Sequence, residues 1–300
     1  MTLDELLKLV EEHQQRIWSI EDATTAQTLL AYEDARTTMR TELQAILDRW
    51  AQLGMPKNAA QRITLARHAG IIQQIEQRIA ILKGELVNII SAGRSEIIEL
   101  TLDNYVIELN SIGLGITFGR FDPVMVELTL ESVIDEVEYF TENLRNKVLF
   151  TFRTAAIQGK DVSTITRLLL SETLVPQSIW QRSRSGCEIL TRMVLLKAHN
   201  MSKQIGMTQT QKRVPAIRKQ AIAAIDERTT DCCLAIHGKI VDVGRPFKTV
   251  YGNFLFPPFH VRCRTTIVTW HKLLDPHGTS TKALRKAARV EKKQRAKSKK

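Results

Sequence analysis

Between Asp226 and Arg264 the chain gathers the residue types that hold metals or carry thiol chemistry. One cluster reads Asp226-Glu-Arg-Thr-Thr-Asp-Cys-Cys-Leu-Ala-Ile-His-Gly238. The other, beyond a loop, reads Phe256-Pro-Pro-Phe-His-Val-Arg-Cys-Arg264. Three of the four cysteines and two of the seven histidines fall within these 32 residues, from Cys232 to Cys263. Thiolates and imidazoles suit zinc, and Cys233, His260 and Cys263 supply three ligands, with His237 or Asp226 as a fourth. Two other readings use the same residues: a buried, hydrogen-bonded Cys/His cluster, or a disulfide between Cys233 and Cys263. Four cysteines, one of them isolated at Cys187, make no secreted disulfide framework.

Catalysis has weaker support. Cys263 beside His260 offers a nucleophile and a base, and Asp226-Glu227 beside metal ligands would suit a hydrolase. Yet the chain has no His-Glu-x-x-His, no phosphate-binding Gly-x-x-x-x-Gly-Lys loop, no Gly-x-Ser-x-Gly and no deaminase signature. The chain therefore reads as a non-enzyme, with no catalytic residue assigned. Arg228 and Arg264 read as partners of Asp226 or Asp231 that tie the loop down.

The elements that must position these clusters follow from pattern. Gln220 to Ile225, Lys239 to Val243 and Thr265 to Trp270 are rich in Ile, Val and Thr and predict strands. Gly244 to Phe259 is a long connection whose aromatics (Phe247, Tyr251, Phe254, Phe256, Phe259) predict a small local core. Upstream the chain reads as helix. Met39, Leu43, Ile46, Trp50 and Leu53 form a heptad seam, as do Ile72, Ile75, Ile79, Leu82, Leu86 and Ile89. Gly54-Met-Pro56 between them stops the first helix, which predicts an antiparallel, coiled-coil-like helical hairpin. Asp122-Pro123 opens another helix along Val126, Leu130, Val133, Val137, Phe140, Leu144 and Val148, and residues 177 to 207 predict a long one. Its weakest point is Arg182 to Gly186.

Charge is unevenly placed. Residues 282 to 300 hold ten cations (Lys282, Arg285, Lys286, Arg289, Lys292, Lys293, Arg295, Lys297, Lys299, Lys300) against Glu291 alone. They supply nine of the eleven net positive charges, so the body is close to neutral. Leu284, Ala287 and Ala288 permit a short helix at the start, and disorder is expected beyond it. Such clustered cations are suited to non-specific contact with double-stranded DNA through its phosphates. No run of 18 apolar residues exists for a membrane span, and the first residues lack the pattern of a signal peptide.

The two clusters resemble the signature of the Mu F-like minor head proteins, the head morphogenesis family of tailed phages. The residues that carry the resemblance are Asp226, Arg228, Thr229, Thr230, Cys233, Gly238, Lys239, Pro257, Pro258, His260, Cys263 and Arg264, in that order and spacing. The match covers roughly residues 186 to 270. Upstream the family carries an Arg-Thr-Glu with an Asn further on; here Arg192 and Asn200 hold those places, but Met193 and Val194 stand where Thr and Glu would be. Pattern, charge and resemblance together predict an α+β protein with a mainly helical region (1–185) carrying the coiled-coil-like hairpin, a small Mu F-like module (186–275) and a basic, disordered tail (276–300). The resemblance implies a minor head protein associated with the portal, and with capsid or scaffolding protein, that assists head assembly or DNA packaging and delivery. The location implied is the virion head interior, after assembly in the host bacterial cytoplasm. The alternative is a DNA-binding or DNA-processing protein with a catalytic metal in the Cys/His module.

Overall fold

The computed structural model describes residues 3–53, 70–111, 113, 123–160, 164–165, 168–169, 179–225, 229–272 and 281–297. The fold is α+β, mostly helical with one small antiparallel sheet region. In chain order the described elements are α1 (Leu3–Leu53), α2 (Ile71–Ser111), α3 (Pro123–Ile157) and α4 (Ile179–Arg213). Then come β1 (Arg218–Ala223), α5 (Asp231–Ile236), β2 (Ile240–Asp242), β3 (Phe247–Thr249), β4 (Gly252–Phe254), β5 (Thr265–Trp270) and α6 (Thr281–Lys297). The expected stop at Gly54 to Pro56 and the motif residues Asp226 and Arg228 lie outside the described residues, as do Lys299 and Lys300.

By compactness the chain forms two units. One comprises Thr24–Ser91 and Glu127–Thr191, the other Met1–Ala23, Ala92–Val126 and Arg192–Lys300. Among its described residues, the regular elements of the first unit are all helices. Ion pairs record its order: Glu76 meets Arg145 and Lys83 meets Glu138 at 2.8 Å, so seven residues forward on α2 is seven back on α3. The two helices are therefore antiparallel. Glu42 pairs with Arg78 between α1 and α2, and Thr28 and Thr191 share a buried hydrogen bond of 3.1 Å.

The seam on α2 differs from a heptad. Its buried positions recur every eleven residues: Ile71 and Leu82; Ile75, Leu86 and Ile97; Ile79, Ile90 and Thr101. Ile71 and Ile90 are fully enclosed, where the heptad expectation had Ile72 and Ile89. Eleven residues over three turns is about 3.67 per turn, close to the natural α-helical period, so a long helix can hold one buried stripe without left-handed supercoiling.

The second unit holds the sheet. β1 lies between β2 and β5 and is antiparallel to both, pairing Gln220 with Ile240 on one side and with Val268 on the other. The strand expectations thus land within about two residues, and the long connection contains its own hairpin, β3–β4. Phe247 and Phe259 are buried with rings 5.7 Å apart, and Phe254 and Phe256 pack against them. Tyr251 is the exception, being exposed beside His260.

The chain's basic end corrects the expectation of disorder: it is helical from Thr281 to Lys297. Ala288 is buried and Leu284 packs on Gly238. Thr281 Oγ1 and Arg285 Nε donate to the carbonyls of Gly238 and His237 at 3.0 and 3.1 Å, and Lys292 Nζ donates to that of Thr229. An apolar stripe plus three anchors into backbone acceptors is enough to order a helix that composition alone leaves unfolded.

Gly206 on α4 shows how closely the second unit is packed, because a Cβ there would sit 2.7 Å from the Tyr105 ring. Tyr105 is fully buried and its hydroxyl is held by Thr210 at 3.1 Å, so the ring cannot swing aside. Gly206→Ala should gain about 1 kcal/mol of helix propensity yet lose about 1–3 kcal/mol to overpacking. Denaturant unfolding should show a net loss, and equal or greater stability would contradict this packing.

Candidate functional site

Two short pieces build the site. The first is α5, which starts because Thr230, in an extended conformation, accepts the Cys233 N–H on its hydroxyl. It ends at Gly238, whose φ of 73° is left-handed backbone that favours glycine. The Gly238 N–H then donates to Ala221 O on β1 at 2.7 Å, so the motif glycine both turns the chain and docks it on the sheet. The second piece is the turn from His260 to Cys263, closed by the Cys263 N–H donating to His260 O at 3.1 Å. It passes through Arg262 at φ 61°, an uncommon conformation for a residue with a side chain. Pro257 and Pro258 lead into it.

The two pieces bring Cys233, His260 and Cys263 together. Cys233 Sγ lies 2.9 Å from His260 Nε2 and 4.0 Å from Cys263 Sγ. All three ligand atoms lie within 4.8 Å of one another, a group that could hold a metal ion. The ring orientation suits ligation. His260 Nδ1 is 2.7 Å from the Val261 carbonyl, which can only accept, so Nδ1 carries the proton and Nε2 keeps its lone pair toward the sulfurs. The Thr230 hydroxyl, 3.1 Å from Nε2, links the helix cap to the same ring.

Electrostatics split the thiols. The hydrogen bond from Cys263, aided by that of the Thr230 hydroxyl, holds Cys233 far below the ordinary thiol range. The same bond, with burial, drives Cys263 upward. Two sulfurs sharing one proton form a ready thiolate donor. Both are free thiols, their separation about twice a disulfide bond. Neighbouring Cys232 is only partly buried, its thiol is pushed up by burial, and it stands outside the group.

The remaining expected residues do other things. His237 is not brought to the cluster: its Nδ1 accepts the Ala223 N–H at 3.1 Å, and burial, with Arg285 beside it, depresses its pKa. Thr229 is buried and bonds the Ala224 carbonyl. The Arg264 guanidinium lies 4.5 Å above the Trp18 ring on α1. On α6, Lys282, Lys286, Arg289 and Lys293 are exposed, whereas Arg285 and Lys292 are used as anchors. Arg295 and Lys297 are in the helix.

Other residues position the site from a distance along the chain. Asn200 on α4 accepts the Ile267 N–H at 3.0 Å and donates to Thr265 O at 3.3 Å, occupying the outer edge of β5. His199 bridges Thr101 and Thr266, at 2.8 and 2.9 Å. Arg192 donates to Glu21 and Asp22 on α1 at 2.6 and 2.8 Å. Asn200 and Arg192 are thus structural ties at the spacing that the motif gave them. Comparison with protein-family models, with curated proteins and with solved structures returned no match.

Lys219 secures the loop that leads to His260. It is fully buried, donates to Gln204 Oε1 at 3.0 Å and Leu255 O at 2.6 Å, and lies 5.3 Å from the Phe247 ring centre. No carboxylate contacts it among the described residues, and burial pulls its pKa down to about 8. Between that value and its ordinary 10.5 the unfolded chain binds more protons than the folded one, so stability should rise with pH across this window. Lys219→Met should remove that rise. Equal slopes for the two proteins between about pH 8 and 10, by denaturant unfolding, would contradict it.

Proposed function

We propose that this chain is a phage minor head protein of the head morphogenesis type, and that Cys233, His260 and Cys263 hold a structural zinc. The observation that carries the reading is the motif itself. Of the residues that match the family signature, Cys233, His260 and Cys263 also come together in space, with Thr230 beside them. A zinc ion fits the donor set: two Zn–S bonds of ~2.3 Å at a tetrahedral angle span about 3.8 Å, against 4.0 Å between the sulfurs. Such an ion would fasten α5 to the 260–263 turn in a module with few apolar residues of its own, contributing directly to folding.

The partner surfaces follow from what is left exposed. On α3, Tyr139, Phe150 and Ile157 are 74, 70 and 56% exposed. Their spacings of eleven and seven residues place them along one line of the helix. That apolar stripe is offered to the portal or another head protein, in helix-to-groove fashion. Lys282, Lys286, Arg289 and Lys293 form an exposed basic stripe on α6, which suits the phosphates of packaged double-stranded DNA without sequence preference. Localisation inside the head follows from this pair of partners.

The rival reading, a DNA-processing protein with a catalytic metal, draws on the same geometry, since three protein ligands leave a coordination position open. Metal-dependent cleavage of duplex DNA by the purified protein would favour it.

Protein purified reduced and without chelator should carry about one zinc per chain, and Cys263→Ser should lose the metal and lower the melting temperature. Metal content below about a tenth of an equivalent would sink the zinc assignment. In separate tests of the partners, co-expression with the cognate portal protein should give a complex stable to size exclusion, which Phe150→Glu disrupts while leaving the melting temperature unchanged. Reversing Lys286, Arg289 and Lys293 to Glu should flatten the salt dependence of DNA binding by about three in log–log slope. An unchanged slope would remove α6 from the DNA contact.

A further inference from the structure

Lys239 belongs to the signature, yet its side chain takes no part in the metal-ligand group. Its carbonyl accepts the Ala221 N–H at 3.0 Å, which fixes it against β1, and its ammonium crosses to Lys248 O on β3 at 3.2 Å. Arg285 reaches the same place from α6, because its Nε donates to His237 O, two residues before Lys239. Thr281 Oγ1 donates to Gly238 O between them. The N-terminal end of α6 is thus laid against residues 237–239, and Lys239, Lys248 and Arg285 share one corner of the second unit.

That corner holds three like charges, which repel one another. Burial, then the Arg285 and Lys248 cations, lower the Lys239 pKa. Asp242, the carboxylate nearest to Lys239 along the chain, is shared by Arg218 and Arg245 at 3.3 Å each. Glu291, the one acid on α6, lines the buried side of that helix with Leu284 and Ala288. Among the described residues Lys239 and Lys248 make no ion pair, so the corner is suited to an anion from outside. Length decides which anion. Lys282 to Lys293, the exposed basic stripe of α6, covers about 16 Å at 1.5 Å per residue, and the corner lies at its N-terminal end. A single phosphate could meet the corner or part of the stripe. Duplex DNA, with one charge per about 1.7 Å of axis, can meet both.

We propose that the contact with double-stranded DNA continues from α6 onto the β3–β4 hairpin, where Lys239 and Lys248 bind backbone phosphates. This extension rests on the reading of α6 as a DNA contact and is independent of the metal. Lys239 has two N–H donors left after the one given to Lys248 O, and the Lys248 side chain is exposed. Contacts to phosphate fix the path of the duplex and carry no sequence preference.

The test is fluorescence anisotropy of a labelled mixed-sequence duplex, titrated with the full chain over a range of salt. Lys239→Gln combined with Lys248→Gln should lower the log–log salt slope by about two and weaken binding about tenfold at low salt. Lys248→Gln alone, at an exposed position where folding is not at stake, should lower the slope by about one. Inorganic phosphate at matched ionic strength should not displace the duplex. The reversal of Lys286, Arg289 and Lys293 to Glu serves as the reference. If that reversal flattens the slope while both lysine variants keep it, the contact ends on α6 and the extension is overturned. If the reversal and the lysine variants all leave the slope unchanged, the DNA contact itself fails, and the extension with it. Displacement of the duplex by inorganic phosphate would instead make the corner a small-anion site and overturn the extension.

Discussion

The hydrogen bonds of β1 are the constraint on which the sheet-bearing unit depends. This six-residue strand has both edges in use, with β2 on one side and β5 on the other. Its Ala221 carbonyl also receives the Gly238 N–H, which fixes where α5 ends. Cys233 is placed from that end of β1, and Cys263 is placed through β5, which starts two residues later. The metal-ligand group is thus a product of strand register: Ala223 opposite Thr265 sets the turn beside the helix. A slip by one residue would turn each side chain of the strand to the opposite face and part the sulfurs.

What prevents that slip is a buried polar layer supplied by the helices. Asn200 fills the free edge of β5, and His199 holds Thr266. Beneath them His13, Glu108 and Lys203 form a buried cluster with contacts of 3.2 and 3.3 Å to the Glu108 carboxylate. Burial alone would raise the Glu108 pKa, but Lys203 and His13 more than offset it, leaving the carboxylate below its usual range. Buried charges of this kind add little net stability compared with apolar substitutes, yet removing one partner leaves an uncompensated ion. Their effect here is geometric, because each polar group is satisfied in only one arrangement of helix against strand.

Local features were therefore legible in the sequence and distant ones were not. The strands could be placed from runs of Ile, Val and Thr, and the Cys/His group from motif spacing, because both signals are contained within a few residues. The heptad reading of α2 went astray for a related reason: over two or three turns, 3.5 and 3.67 residues per turn are hard to tell apart. Ile71 and Ile90 separate them only when the whole helix is seen. His237 has ligand chemistry and suitable spacing, but its ring was claimed by the Ala223 N–H, a partner 14 residues away. The polar layer left no trace in the sequence, since His13, Glu108 and Lys203 come from three separate helices. For α6 the misleading signal was composition, because its cations outnumber the few side chains that bury it.

The sheet-bearing unit is assembled from Met1–Ala23, Ala92–Val126 and Arg192–Lys300, whereas the helical unit is complete by Thr191. During synthesis the helical unit can close while the remainder of the chain is still being made. Leu6 and Val10, made more than two hundred residues earlier, await Val268 and Ile222 as their apolar cover. Contacts of such sequence separation carry a large loop-closure cost before they yield any stabilisation, which makes them late and slow to form. The order of manufacture thus leaves that apolar stripe uncovered for long, and premature termination between Thr191 and β5 would release a chain with a folded helical unit and the stripe permanently bare.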